Sequence, residues 1–129
     1  MTLNSALKIS STGLTAERFR MDVISSNIAN SNSMKVGDKM PYRRRMVELQ
    51  GTADGVEIVG VKQDMNAFRT AVEPGNPNAD PKTGVVTYSN VEPVNEMVNM
   101  MSASRAYEAN VAAFNSAKGM IRNALNIGK

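Results

Sequence analysis

Apolar residues recur every seven positions at both ends of this chain and nowhere between, and that spacing constrains its fold more than any other feature. Near the N-terminus Leu7, Leu14, Met21 and Ile28 stand seven apart, with Leu3 and Ile24 on flanking positions of the same side. Near the C-terminus Met97, Met100, Ser104, Tyr107, Val111, Phe114, Lys118, Ile121 and Leu125 follow heptad spacing, with Ser104 and Lys118 as polar intrusions. The spacing predicts amphipathic helices from Leu3 to about Ile28 and from Pro93 to just before Gly128. Pro93 suits a first helical position and Gly128 a stop. Glu17, Arg18, Arg20 and Asp22 fall mostly elsewhere around the first helix, and Gly13 weakens it by about 1 kcal/mol relative to alanine. In the second helix Ala103, Ala106, Ala109, Ala112, Ala113, Ala117 and Ala124 raise helix propensity and permit close approach of a neighbour.

Between the helices the period changes to two. Residues 42–49 (YRRRMVEL) and 56–61 (VEIVGV) read as strands, separated at 51–55 (GTADG) by a loop with hairpin chemistry. Residues 85–88 (VVTY) read as a further short strand. Residues 73–84 (EPGNPNADPKTG) contain three prolines and many other turn formers, so they read as an irregular loop. The expected fold is α+β: an N-terminal helical region (1–33), a small β-rich middle (34–91) and a C-terminal helical region (92–129), with the helices packing as a coiled coil. Each helix exposes an apolar stripe that must be buried against the other helix or against other chains. Such ends can stay partly unordered until a partner supplies the missing surface.

Composition narrows the function. With 129 residues the chain suits one domain. Only 5% of them are aromatic and none is Trp, so large core anchors are scarce; ten methionines, adaptable packers, partly fill the gap. There is no cysteine and no histidine, which removes thiolate metal sites, disulfides and the commonest general base. No cofactor is expected. Asn4, Ser5 and Lys8 interrupt any secretory apolar region, and no run reaches the ~18 apolar residues of a membrane span, so the chain is expected not to span a membrane. Exit from the cytoplasm would take a route without a cleaved signal of that kind. A net charge of +3 is too small to point to nucleic acid.

Several motif matches fail on geometry. Ser5-Ala-Leu-Lys8, Ser25-Ser-Asn27 and Lys82-Thr-Gly84 reproduce the SxxK, SxN and KTG order of serine β-lactamases. The first two lie on one predicted helix, about 30 Å apart, and cannot meet on one substrate. Asn76, Asn78 and Asp80 imitate an EF-hand start, but Pro81 replaces its glycine and Thr87 its bidentate glutamate. Gly75 with Lys82-Thr83 lacks the second glycine and the spacing of a phosphate loop. On a strand Arg44 points away from Arg43 and Arg45, so the triplet forms no single phosphate patch; a solvated face or an ion pair to another chain is the expected role.

Three separated segments carry a family resemblance. Residues 25–33 (SSNIANSNS) resemble the Asn-rich N-terminal signature of bacterial flagellar axial proteins, the rod and hook components. Residues 102–120 (SASRAYEANVAAFNSAKGM) resemble the matching C-terminal signature, and residues 72–91 (VEPGNPNADPKTGVVTYSNV) resemble the proximal-rod branch of that family. The resemblance covers nearly the whole chain. It implies a structural subunit, not an enzyme, exported unfolded by the flagellar type III apparatus. Such a subunit assembles with other rod proteins, copies of itself and rod-adjacent basal-body components, in the rod within the cell envelope. It further implies terminal helices in an inner tube and a small outer domain. The chain departs from the family in a short loop at 51–55 and in Ser33-Met34-Lys35-Val36, where a threonine-rich continuation is commoner.

Leu7, Leu14, Met21 and Ile28 are accordingly expected to pack on Met97, Met100, Tyr107, Val111, Phe114, Ile121 and Leu125, within or between subunits. The Asn-rich stretch is expected to end the first helix, with Asn30 and Asn32 tolerating left-handed backbone. Asn27 and Asn30, three apart on the last turn, are expected to hydrogen-bond backbone groups of adjacent subunits. The rival from another class is a soluble helical adaptor or secretion chaperone that grips one client through its amphipathic helices.

Overall fold

The computed structural model describes residues 2–128; Met1 and Lys129, which close the two expected helical regions, lie outside the described residues. The element order is α1 (Leu3–Ala29), β1 (Arg45–Thr52), β2 (Gly55–Gln63), β3 (Arg69–Val72), β4 (Val85–Tyr88) and α2 (Pro93–Ile127). The fold is α+β, with two long terminal helices and a small middle of antiparallel strands.

Local chemistry accounts for the ends of the helices. Thr2 caps α1, its hydroxyl accepting the Ser5 N–H at 3.1 Å. At the other end Asn30 donates its side-chain amide to the Ser26 carbonyl and the Ser31 hydroxyl donates to the Ile28 carbonyl, both at 2.8 Å. The Ser26 carbonyl accepts the Asn30 backbone N–H as well, and the Ile28 carbonyl turns to the backbone N–H and hydroxyl of Ser31 instead of a residue four further on. The helix therefore stops without left-handed backbone at Asn30 or Asn32, contrary to expectation. Asn30 has φ −105°, and among the described residues only Gly37, Gly55 and Gly84 have positive φ. Pro93 opens α2, and Gly128 caps it.

The two helices pair antiparallel: Gly13 meets Asn110, and fourteen residues later in α1 Asn27 meets Glu96, fourteen residues earlier in α2. The same offset sets Leu3 level with Met120, so the last turns of α2 overhang the start of α1 by about 10 Å. The buried positions are Ser10, Gly13, Ala16, Ile24 and Asn27 on α1 and Glu96, Ala103 and Ala117 on α2. Small residues on this seam let the backbones approach closely. The larger heptad residues flank it instead of filling it, because α1 is covered on two sides. The β1–β2 hairpin lies against its other side, where the Thr12 hydroxyl accepts the Val56 N–H at 3.1 Å.

Hairpin register is tighter than the sequence suggested. Thr52 pairs with Gly55, leaving a two-residue turn at Ala53-Asp54 where a five-residue loop was expected. Gly55 has φ +125°, and a Cβ on it would lie 2.1 Å from the Thr12 hydroxyl, so the turn and its docking on α1 both need glycine. Glu48 pairs with Gly60 but Leu49 with Ile58, which leaves Val59 unpaired in a bulge. The expected strand at 85–88 is β4. Its partner β3 had no sequence signal, and the loop at 73–84 joins the two. Residues 33–35 run along the other edge of β4, through Lys35 N–H to Thr87 O at 2.8 Å and Ser89 N–H to Ser33 O at 2.9 Å.

Candidate assembly interface and the polar node behind it

The segment leaving α1 returns at residues 42–45 to the junction between the two helices, and four elements meet there. Asn27, 1% exposed on the last turns of α1, turns inward. Its amide donates to the Arg45 carbonyl at 2.8 Å, and its oxygen accepts the Arg45 N–H at 3.0 Å. One side chain thus pairs with both backbone groups of a residue, as a neighbouring strand would. The amide also donates to a Glu96 carboxylate oxygen at 3.2 Å, and the oxygen accepts the Tyr42 hydroxyl at 2.8 Å. Asn90, just before α2, acts similarly. Its oxygen accepts the Arg44 N–H at 2.7 Å, and its amide donates to the Asp64 and Asn66 carbonyls. Claimed by these two asparagines, residues 44 and 45 enter the sheet only at Arg45, which is why β1 starts later than the alternating pattern predicted.

The carboxylates of this node are both paired. Glu96, 1% exposed in the first turn of α2, accepts from the Arg44 guanidinium Nε. Arg44 also pairs with Asp64 at 3.2 Å, so one guanidinium serves two carboxylates. Burial works to lower the pKa of Arg44, but hydrogen bonds and charges from Glu96 and then Asp64 outweigh it and hold it above its ordinary value. The Asn66 backbone N–H holds Asp64 below the usual carboxylate value against the effect of burial, and Arg44 adds to this. The other arginines are also engaged within the chain. Arg43 donates to the Asp64 and Asn66 carbonyls and lies 4.2 Å from the Phe68 ring centre, and Arg45 covers Tyr42 at 5.5 Å. Where a solvated face or an ion pair to another chain was expected, Arg44 forms its ion pairs inside this chain. Arg69 donates to the Ser89 carbonyl at 2.9 Å and the Ser31 carbonyl at 2.7 Å, tying the helix-ending stretch to the second hairpin.

The side-chain polar atoms of Asn27 are all engaged within the chain. Asn30 is exposed and its amide is used on Ser26. Leu7, Leu14, Met21 and Ile28 are half-buried along one flank of α1, and Met100, Tyr107, Val111, Phe114 and Ile121 are half-buried on α2. Met97 and Leu125 stand outside the intrachain seam, 54% and 67% exposed. Met97 belongs to an exposed stripe on α2 with Val94, Val98 and Met101, and the C-terminal part of α2 adds Met120 and, on the overhang, Ile127. Among the described residues the buried hydrophobics are fewer and smaller: Ala16, Ile24, Val86, Val91, Ala103 and Ala117. Glu96, Arg44, Asp64 and Asn90 carried no local sequence signal, since each acquires its role from partners far away in the chain.

The rejected motifs find other uses. Ser5 and Ser25 lie on the single helix α1, and the Ser5 hydroxyl is 3.0 Å from that of Thr2. In the proline-rich loop the Asn76 and Asp80 oxygens accept the backbone N–H groups of Asn78 and Lys82 and so build turns. Glu73 accepts the Tyr88 hydroxyl at 2.7 Å; this bond, then one from Asn76, keeps Glu73 below the usual carboxylate value. Among the described residues no three acidic side chains gather closely enough to hold a metal ion, and no helix is long and apolar enough to cross a membrane.

Comparison with known proteins bears on the whole chain. Residues 7–33 match the family described as flagella basal body rod protein, and residues 82–127 match that described as flagellar basal body rod FlgEFG protein C-terminal. The flagellar basal-body rod protein FlgC of Bacillus subtilis is 38% identical over 151 residues, covering all of both chains. FlgC of Escherichia coli O6:H1 is 40% identical over 135 residues, again covering all of both, and that of Borreliella burgdorferi is 38% identical over 149 residues and 98% of each. These alignments outrun the 129 residues present here, so each relative carries positions that this chain lacks.

Proposed function

The chain belongs to the family of flagellar basal-body rod proteins FlgC, a structural subunit and not an enzyme, and from that premise we propose how its surfaces are used. Helices α1 and α2 form the inner part of the rod and residues 34–91 an outer domain. The exposed stripe of Val94, Met97, Val98 and Met101 and the C-terminal part of α2 with Met120, Leu125 and Ile127 meet other subunits. The half-buried flank residues Leu7, Leu14, Met21, Ile28, Met100, Tyr107, Val111, Phe114 and Ile121 are covered further in the same assembly. Asn30, exposed beside the helix end, offers its free oxygen to a neighbour. Other rod proteins, copies of this chain and rod-adjacent components supply the partners. The subunit reaches the envelope, and the periplasmic space where there is one, through the flagellar type III apparatus.

One observation supports this reading above the others. The accessible surface is 8607 Å² for 13.9 kDa, whereas a compact monomer of that mass exposes about 6,700 Å². The excess of roughly 1,900 Å² is about twice the ~800 Å² that each partner contributes to a standard interface, enough surface for more than one neighbour. Repeated heterologous contacts that do not close into a ring would extend such a subunit into a helical shaft.

Hydrogen exchange on the purified protein and on isolated basal bodies tests the reading. Amides in the overhanging end of α2 are expected to exchange fast in the isolated chain and to become protected in the basal body. Full protection of both helices in the isolated chain, unchanged on assembly, would instead favour a self-sufficient adaptor that grips a single client.

A further inference from the structure

Heptad sequences are ambiguous in register, because sliding one helix past another by seven residues returns similar residues to similar places. We propose that two pairs, Gly13 with Asn110 and Asn27 with Glu96, select the register in which α1 lies on α2. This goes beyond the rod reading, since it concerns pairing within one chain. Both pairs share one offset and stand two heptads apart. Glu96, Ala103, Asn110 and Ala117 form a single heptad series along α2, and Ala6, Gly13, Arg20 and Asn27 form the series level with it along α1.

The two pairs act against slips in both directions. A Cβ on Gly13 would lie 2.8–2.9 Å from the Asn110 side-chain amide, which itself is tied to the Ala106 carbonyl at 3.0 Å. Sliding α2 by one heptad in one direction sets Asn110 level with Ala6, whose Cβ occupies that space. This slip would bring Arg20 level with Glu96, a favourable charge pair, so the clash at Ala6 and the loss of the Asn27–Glu96 bond together oppose it. Sliding the other way sets Asn27 level with Ala103 and crowds Asn110 against Arg20. Glu96 then passes beyond the end of α1 and loses the Asn27 amide. A buried polar group left without its partner is the strongest available penalty against a wrong alignment, and register is the best-attested use of such groups.

The chain contains no cysteine, so register can be read by disulfide formation. Ala6→Cys with Ala117→Cys reports the observed alignment, and Ala6→Cys with Ala124→Cys reports the second slip. The two differ by about 10 Å along the helix, beyond the reach of one disulfide. In the otherwise unsubstituted full-length chain, oxidation is expected to cross-link the first pair and not the second. Adding Glu96→Ala and Asn110→Ala together is expected to raise the second cross-link roughly tenfold or more, with helical content by circular dichroism retained. The proposal is overturned if the first pair fails to cross-link, or if both pairs cross-link equally in the unsubstituted chain. It is also overturned if the doubly substituted chain keeps only the first pair, which would assign register to the connection through β1–β4. Loss of helix without the slipped cross-link would equally overturn it, by showing that these residues hold the fold up without choosing between alignments.

Discussion

Replacing Asn27 by aspartate changes almost no atoms in volume and should nonetheless come close to unfolding the chain. The two acceptor bonds, from the Arg45 N–H and the Tyr42 hydroxyl, survive in Asn27→Asp. The two donor bonds do not. The new oxygen would stand 2.8 Å from the Arg45 carbonyl and 3.2 Å from a Glu96 carboxylate oxygen, with no proton in either gap. Two lost bonds contribute about 1 kcal/mol each. Two carboxylate charges near 4 Å repel by about 4 kcal/mol at an effective dielectric constant of 20, and Arg44 offsets part of that. A destabilisation of about 3–5 kcal/mol results, a large share of the 5–15 kcal/mol typical of a domain. The pH dependence identifies the cause. The introduced carboxyl has its folded pKa raised, so the folded variant binds more protons than the unfolded one above pH ~4. Its deficit should be largest at pH 8 and shrink as pH falls toward 5, where the protonated group again donates. Asn27→Ala loses all four bonds but adds no charge, and its deficit should stay flat over that range. Urea unfolding followed by circular dichroism at several pH values measures both. A deficit below about 1 kcal/mol at pH 8 for the aspartate variant, or one that ignores pH, would refute the account of the node.

Three further outcomes follow from the same geometry. Gly55→Ala should cost about 3 kcal/mol or more in the same urea assay, because it combines φ +125° with a 2.1 Å approach to the Thr12 hydroxyl. Adding Thr12→Ala should restore only the steric part, leaving the backbone strain. Asp64, with its folded pKa lowered, contributes stability that is present above its unfolded pKa near 4 and lost as pH falls through the folded value. Asp64→Asn should therefore lose less stability than the unsubstituted chain between pH 5 and 3, and equal acid slopes would count against a carboxylate held ionised by the Asn66 N–H and Arg44. Phe114→Asp should leave export intact and block rod assembly, read by electron microscopy of basal bodies; normal rods built with that variant would show that this flank of α2 is not an interface.

Helices and hairpin were legible because each imposes a period on large apolar residues, and that period survives without knowledge of any partner. The seam was not legible for the same reason. Its α2 side is the series Glu96, Ala103, Asn110 and Ala117, one residue out of phase with Met97, Ser104, Val111 and Lys118. Alanine and glycine contribute little transfer energy, so a pattern built on hydrophobicity passes over the positions where two backbones come closest. The node failed differently. Asn27 sat in a stretch whose composition drew notice, but Glu96 is 69 residues away and Arg44 reads as one of three identical neighbours. The strand β3 (RTAV) offers a single large apolar residue, and its pairing with β4 is decided across the proline-rich loop.

The division between a small-residue seam and large outward residues is itself informative about how such a subunit is stabilised. Burying Ala103 and Ala117 against Ser10, Gly13 and Ala16 removes little apolar area from water, so the helix pair gains modest hydrophobic stabilisation. What the pair lacks in burial it gains in definition, since a charged and hydrogen-bonded node tolerates only a narrow geometry. The apolar area is held on the outside, where Met65, Met97, Met101 and Met120 are more than half exposed. Methionine suits that position because an unbranched thioether side chain can conform to neighbours of different shape. A rod subunit that assembles with other flagellar components is served by adaptable contacts outside and a fixed form inside. Polar specificity within the chain and soft apolar surface beyond it are the physical means of having both.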